Sequence, residues 1–198
     1  VEEAKRKGIK VVWNQNGVGY KAWTPHWEKI NDSMKPVVNA DYVIYQSNFC
    51  RKDANELVAK YNGPYSILNN CVDIDTVKPA NPPLALNPVR LLVTGTHMTP
   101  EKIFIPLEAL RILIDKGYDI ELSIYGPSEW PNAEEEINRK IAELNLNDRV
   151  KIHGKYLQDE SAGIYAGGHI LIHVKYMDPS PTTPISAMAA GVPVIGSR

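Results

Sequence analysis

Cysteine is nearly missing from this chain. Cys50 and Cys71 stand far apart, without metal-like spacing and without a histidine or helix-start context that would activate a thiol. Both therefore read as reduced packing residues of a cytosolic protein. An excess of one charge is missing too: 22 Lys and Arg against 23 Asp and Glu leave a net charge of −1, which argues against nucleic-acid binding by bulk electrostatics. No apolar run approaches the length of a membrane span, and no charged n-region with an apolar h-region opens the chain, so it reads as soluble. It has no internal repeat at solenoid spacing and no low-complexity tract. No serine sits in a nucleophile-elbow pattern. His153, His169 and His173 alternate with apolar residues, the habit of packed or half-exposed strand histidines rather than metal ligands, and no metal site is expected. Chemistry here would come from electrostatics and positioning rather than from covalent catalysis. An initiator methionine is also lacking, and the chain stops just after the apolar GVPVIGSR. The expectation is an excerpt from a longer protein, because a buried strand with nothing to cover it is a poor domain end.

What is present is an alternation of short apolar runs with amphipathic stretches. Ile9–Trp13 predicts a buried strand, followed by a polar turn, Asn14-Gln15-Asn16-Gly17. Trp23, His26 and Trp27 lead into a helix through Ile30 and Met34, an aromatic spacing typical of a core. Residues 40–46 predict a second strand, with Ser47 as N-cap of a helix reaching about Tyr61 that turns Leu57 and Val58 inward. Tyr65–Leu68 closes this series, and strand, helix, strand in that order implies parallel pairing with right-handed crossovers. The composition then shifts: Asn69 to Pro88 is rich in proline and lacks periodicity, as a linker does. A second series follows, with strands at 89–94, 120–125 and 150–153 and helices at 101–116, 133–144 and 161–166.

The end of the chain, HILIHVKYMDPSPTTPISAMAAGVPVIGSR, holds a strand at Ile170–Val174, a Pro-rich turn, a helix start and a strand at Val192–Ile195. Thr183 is expected as the N-cap, with Pro184 at the first helical position, where a missing N–H costs nothing. A helix start just beyond the carboxyl end of a parallel strand favours an anion, most often a phosphate. Two further loops share that edge: Thr94-Gly95-Thr96-His97 followed by Lys102, and Gly126-Pro127-Ser128-Glu129. Two Rossmann-like domains follow, with boundaries at 1–70, a linker at 71–88, and 89–198. The plain alternative, a flavodoxin-like module of unrelated function, requires one continuous sheet.

The segments ADYVIYQSNFCRKDANELV, NNCVDIDTVKP, LLVTGTHMTPEK, LSIYGPSE, VKIHGKY and DPSPTTPISAMAAGVPVIGS resemble, in order, the successive blocks of glycosyltransferase family 4. The resemblance implies a GT-B fold, α/β with two Rossmann-like parallel-sheet domains facing across a cleft, both incomplete here. Residues 1–70 would be the end of the acceptor domain and 89–198 the donor domain. It implies a retaining transfer of sugar from a nucleotide-sugar, UDP- or GDP-linked, to a glycan, lipid or other acceptor, with no cofactor and no divalent metal required. The family's arginine and lysine that reach the diphosphate, five residues apart, fall on His97 and Lys102, with backbone donors near Thr182, Thr183 and Ile185. Gly126, Lys155 and Tyr156 match the nucleotide side. The family's paired glutamates fall on Asp178, which would hold hydroxyls of the donor sugar, and on Ser186, where the ribose is held. Asn16 stands where many relatives carry the histidine that faces the transferred sugar, and an amide does no acid–base work near neutral pH. A degenerate relative that binds a nucleotide or sugar without transfer is the other expectation. The setting implied is cytoplasmic, with peripheral membrane contact compatible with it and no nucleic-acid partner.

Overall fold

The computed structural model describes residues 1–81 and 83–197; Pro82, in the Pro-rich stretch, and Arg198 lie outside the described residues. Contacts divide the chain into one unit of Val1–Cys71 with Met177–Pro181, and a second of Val72–Tyr176 with Thr182–Arg198.

The first unit runs α1 (Glu2–Arg6), β1 (Val12–Gln15), α2 (Trp27–Met34), a 3₁₀ turn at Lys35–Asn39, β2 (Tyr42–Tyr45), α3 (Asn48–Leu57) and β3 (Tyr65–Ile67). Its sheet has the order β1-β2-β3, all parallel. The central strand supplies the buried Val43 and Tyr45, against which Cys50, Ala54 and Tyr20 pack. Ser47 caps α3 as expected, its hydroxyl accepting from the Cys50 N–H at 2.9 Å.

Three local expectations fail here. The strand expected at 9–13 begins later and takes in Asn14 and Gln15, which lie opposite Ile44 and Tyr45 instead of forming a turn. Gln15 can enter a buried strand because its amide is satisfied: it donates to the Gly17 carbonyl and accepts from the Trp13 indole N–H at 2.7 Å. Helix α3 stops at Leu57, which points outward, while Val58 packs inside. Cys71 is exposed rather than packed; only Cys50 is in the core, donating to the Gln15 carbonyl, and burial pushes its thiol pKa up.

The second unit runs β4 (Val89–Thr94), α4 (Glu101–Asp115), β5 (Ile120–Tyr125), α5 (Ala133–Glu143), β6 (Val150–Gly154), α6 (Ser161–Ala166), β7 (Ile170–His173), α7 (Thr182–Ala189) and β8 (Val194–Gly196). All its strand pairs are parallel, in the order β6-β5-β4-β7-β8. The period of two in β4 divides the core. Leu91 and Val93 face Ile103, Leu107 and Leu110 of α4, while Leu92 faces Tyr165 and Ala187 on the other side. Helices thus cover both faces, and the strand order reverses beside β4, where open α/β sheets bind ligands. The described residues form two sheets, which excludes the single-sheet alternative.

Candidate functional site

The carboxyl ends of β4, β5 and β6 meet backbone to backbone in the second unit, and the Thr183 side chain at the start of α7 stands beside Gly95. Gly95 (φ +96°) and Gly126 (φ +111°) occupy conformations open to glycine. A side chain on Gly126 would strike the Gly95 carbonyl, and one on Gly95 would begin 3.6 Å from the Thr183 hydroxyl. The Gly126 N–H donates to the Gly154 carbonyl at 2.6 Å, drawing in the end of β6.

Helix α7 begins at Thr182, so Thr183 is its second residue and Pro184 its third, rather than N-cap and first. Proline is tolerated throughout a first turn whose N–H groups have no helical partner. Of the four donors a helix start leaves open, Pro181 and Pro184 have none to offer, which concentrates them on Thr182 and Thr183. By helical geometry the Ile185 N–H reaches back to the Pro181 carbonyl. Ser186, in the second turn, is 8% exposed.

From the first turn of α4, the Lys102 ammonium donates to the Thr96 carbonyl in the loop after β4 at 2.6 Å. His97, expected to face the diphosphate, is wholly buried. Its N–H donates to Pro127 O at 2.9 Å, its carbonyl accepts from the Glu129 N–H at 2.8 Å, and Nε2 lies 3.2 Å from the Tyr125 carbonyl. A carbonyl only accepts, so Nε2 carries the proton and Nδ1, buried without a partner, carries a lone pair. Burial, and then the Lys102 charge, push the imidazole pKa down to about 4. His97 is a neutral staple between two loops. The side chains on either side of it, Thr96 and Met98, are exposed.

Tyr156 is half-buried, and burial, with Tyr165 beside it, pushes its phenol up to about 12. Tyr125 stacks on His153 with ring centroids 4.0 Å apart and meets Tyr156 edge-on at 6.2 Å. Tyr125 ends β5 while His153 and Tyr156 lie at and just after the end of β6, so the group forms only when the two strands pair. Lys155 is exposed on the stretch after β6.

Asn16 and Asp178 both belong to the first unit. Asn16 is exposed just beyond β1, and a side chain on Gly17 (φ +133°) would meet the Pro179 ring at 3.2 Å. The Ser47 hydroxyl donates to the Pro179 carbonyl at 2.5 Å, and the Asn70 amide donates to Ser180 O at 2.7 Å. These bonds tie the segment carrying Asp178 to the start of α3 and to the stretch just after β3. Among the described residues, no three His, Cys, Asp or Glu side chains gather as a metal site. No helix among them is long and apolar enough to cross a membrane.

Residues 88–198, more than half of the chain, match the model of the family Glycosyl transferases group 1. The chain belongs to that family. Glycosyltransferases also share its fold. HepE of Anabaena, solved with UDP and glucose, superposes with a TM-score of 0.78 at 16% identity, over 98% of this chain and 54% of HepE. Sucrose-phosphate synthase of Thermosynechococcus elongatus gives 0.77 at 21% identity, over 98% of this chain and 52% of that one. TarM of S. aureus, solved as its G117R mutant with Fondaparinux, alpha-GlcNAc-glycerol and UDP, gives 0.70 at 14%, over 96% and 37%. The architecture is GT-B, and the glycosyl transferases group 1 chain spans about half the length of HepE and of the synthase. A search of the curated proteins finds no match.

Proposed function

We propose that this chain is the nucleotide-sugar-binding part of a retaining glycosyltransferase of family 4. The observation that carries the reading is the junction of Gly95, Gly126 and Thr183 at one sheet edge, with Lys102 tied into the same loop. The reading uses the Thr182 and Thr183 N–H groups and the Lys102 ammonium as partners of a diphosphate. That HepE was solved with UDP and with UDP-glucose supports a UDP-sugar over a GDP-sugar. Gly126, Lys155, Tyr156 and Ser186 would line the nucleotide side, Asp178 would hold donor-sugar hydroxyls, and Asn16 would face the transferred sugar.

In the retaining step the bond from the sugar's anomeric carbon to the diphosphate oxygen breaks. The acceptor oxygen bonds that carbon on the same face, and its proton passes to the departing phosphate. Lys102, Thr182 and Thr183 stabilise the charge that develops there. Neither a metal nor a side-chain base is needed for this balance, so an amide at Asn16 is compatible with turnover. The reading keeps the cytoplasmic setting, with membrane contact arising through a lipid acceptor.

A second reading, binding without transfer, is favoured by one observation: His97 is neutral and buried, so the site carries one cation fewer than the motif implied. Calorimetry with UDP and GDP, followed by transfer and donor-hydrolysis assays on the full-length protein, separates the two. Tight nucleotide binding with neither transfer nor hydrolysis of any donor selects the second. Absence of nucleotide binding overturns the first and leaves the second only as a sugar binder.

A further inference from the structure

Three hydroxyl groups meet beneath the loop that follows β4, and their oxygens take no part in the chemistry described above. Thr94 ends β4, Tyr156 lies just past the end of β6, and Tyr165 belongs to α6. We propose that Tyr156 is a positioning residue for the diphosphate: its hydroxyl, held by Thr94 and Tyr165, anchors the turn at Gly95 on which the seat of Lys102 depends.

The partners of the phenol oxygen come first. Thr94 and Tyr165 are 4% and 3% exposed, and their hydroxyl oxygens lie 3.3 Å apart. The Tyr156 phenol is hydrogen-bonded to both of them and to the Gly95 N–H. Around this triangle each hydroxyl can donate once and accept once, and the Gly95 N–H, a donor only, takes the acceptor place that remains on Tyr156. The oxygen is then fully partnered inside the protein. Tyr156 would offer a nucleotide its ring, not its hydroxyl.

The effect of this anchor passes along the backbone. Gly95, whose N–H is held, turns the chain at φ +96°. The next residue, Thr96, carries the carbonyl to which Lys102 donates at 2.6 Å. Tyr156 is itself fixed from the side of β5: the Gly126 N–H holds the Gly154 carbonyl at 2.6 Å, and the Tyr125 ring meets the Tyr156 ring edge-on at 6.2 Å. Removing the phenol oxygen leaves the rings in contact but deprives the Gly95 N–H and two buried hydroxyls of a partner, so the loss falls on the loop that seats Lys102. That this loop faces a diphosphate rests on the glycosyltransferase reading; that Tyr156 anchors it does not.

The test uses the full-length protein with Tyr156→Phe and Tyr165→Phe, calorimetry on UDP and uridine, and amide exchange by mass spectrometry over the peptide containing Gly95. Each variant is expected to weaken UDP about fivefold, the scale of one neutral hydrogen bond, while uridine binding stays unchanged and exchange at Gly95 speeds up. Tyr165 is 3% exposed and does not reach a ligand, so the same split in Tyr165→Phe marks positioning instead of contact. The double variant is expected to be no weaker than the more affected single one, because both substitutions open one network. A matching loss for uridine in Tyr156→Phe would make the phenol a base contact and overturn the proposal. UDP affinity and exchange both unchanged would overturn it as well. Faster exchange in both variants of a protein that binds neither UDP nor GDP would keep the anchor and sink the nucleotide-sugar reading instead.

Discussion

A side chain on Gly126 would begin where the carbonyl oxygen of Gly95 already lies. The loops after β4 and β5 are therefore in backbone contact, and the edge proposed to face the phosphate is made there of main chain. Gly126→Ala combines that collision with a φ of +111°, and is expected to cost about 2–5 kcal/mol. Thermal unfolding and UDP calorimetry check it. Gly163→Ala, where an added carbon meets nothing within 4 Å inside α6, is the control and should be neutral or slightly stabilising.

His97 makes a pH prediction. Its pKa is about 4 in the folded protein against the ordinary 6.5, so between those values the unfolded chain binds more protons. Stability is fully present above about pH 6.5 and is lost as pH falls toward 4, by up to about 3 kcal/mol. His97→Gln, which can still donate to the Tyr125 carbonyl, should flatten this slope in urea melts at pH 7 and pH 5. An unchanged slope would place the titration elsewhere.

Lys102 is expected to act on phosphate alone. Lys102→Ala should weaken UDP roughly tenfold or more, the scale of one charge-assisted hydrogen bond, and leave uridine nearly unaffected. Equal losses for nucleotide and nucleoside would remove its phosphate role.

Ser186 tests the register of α7. If the ribose lies over its second turn, Ser186→Glu should tighten UDP by about 1 kcal/mol, the difference between a charged and a neutral acceptor. A fall in affinity would put the ribose elsewhere.

Ser47 serves two partners, capping α3 and donating to Pro179 O at 2.5 Å. Ser47→Ala is expected to cost about 0.5–2 kcal/mol from the lost cap. It should also speed amide exchange at Asp178 and Ser180, and unchanged exchange there would mean that the Pro179 bond holds nothing.

Strand and helix order was legible because it rests on local periodicity: the runs at 89–94 and 120–125 became strands with those limits, and the helix at 101–116 ended one residue early. Misreadings arose where a side chain's partner is remote in sequence. Asn14 and Gln15 look like a turn until the Trp13 and Gly17 partners of the Gln15 amide are known. His97 looks like a cation until the Tyr125 carbonyl and its burial are seen. Thr183 looks like a cap because proline fits several places in a first turn, and only the backbone course places the helix start at Thr182.

By itself, then, the sequence determined the α/β alternation, the family, and the glycines at the carboxyl edge of the second sheet, because hydrophobic period and ordered motifs are properties of neighbours along the chain. Only the tertiary structure decided that His97 is a neutral staple and that Asp178 belongs with Ser47 and Asn70. Burial and hydrogen bonding between distant residues set those outcomes, and they exist only once the chain has folded.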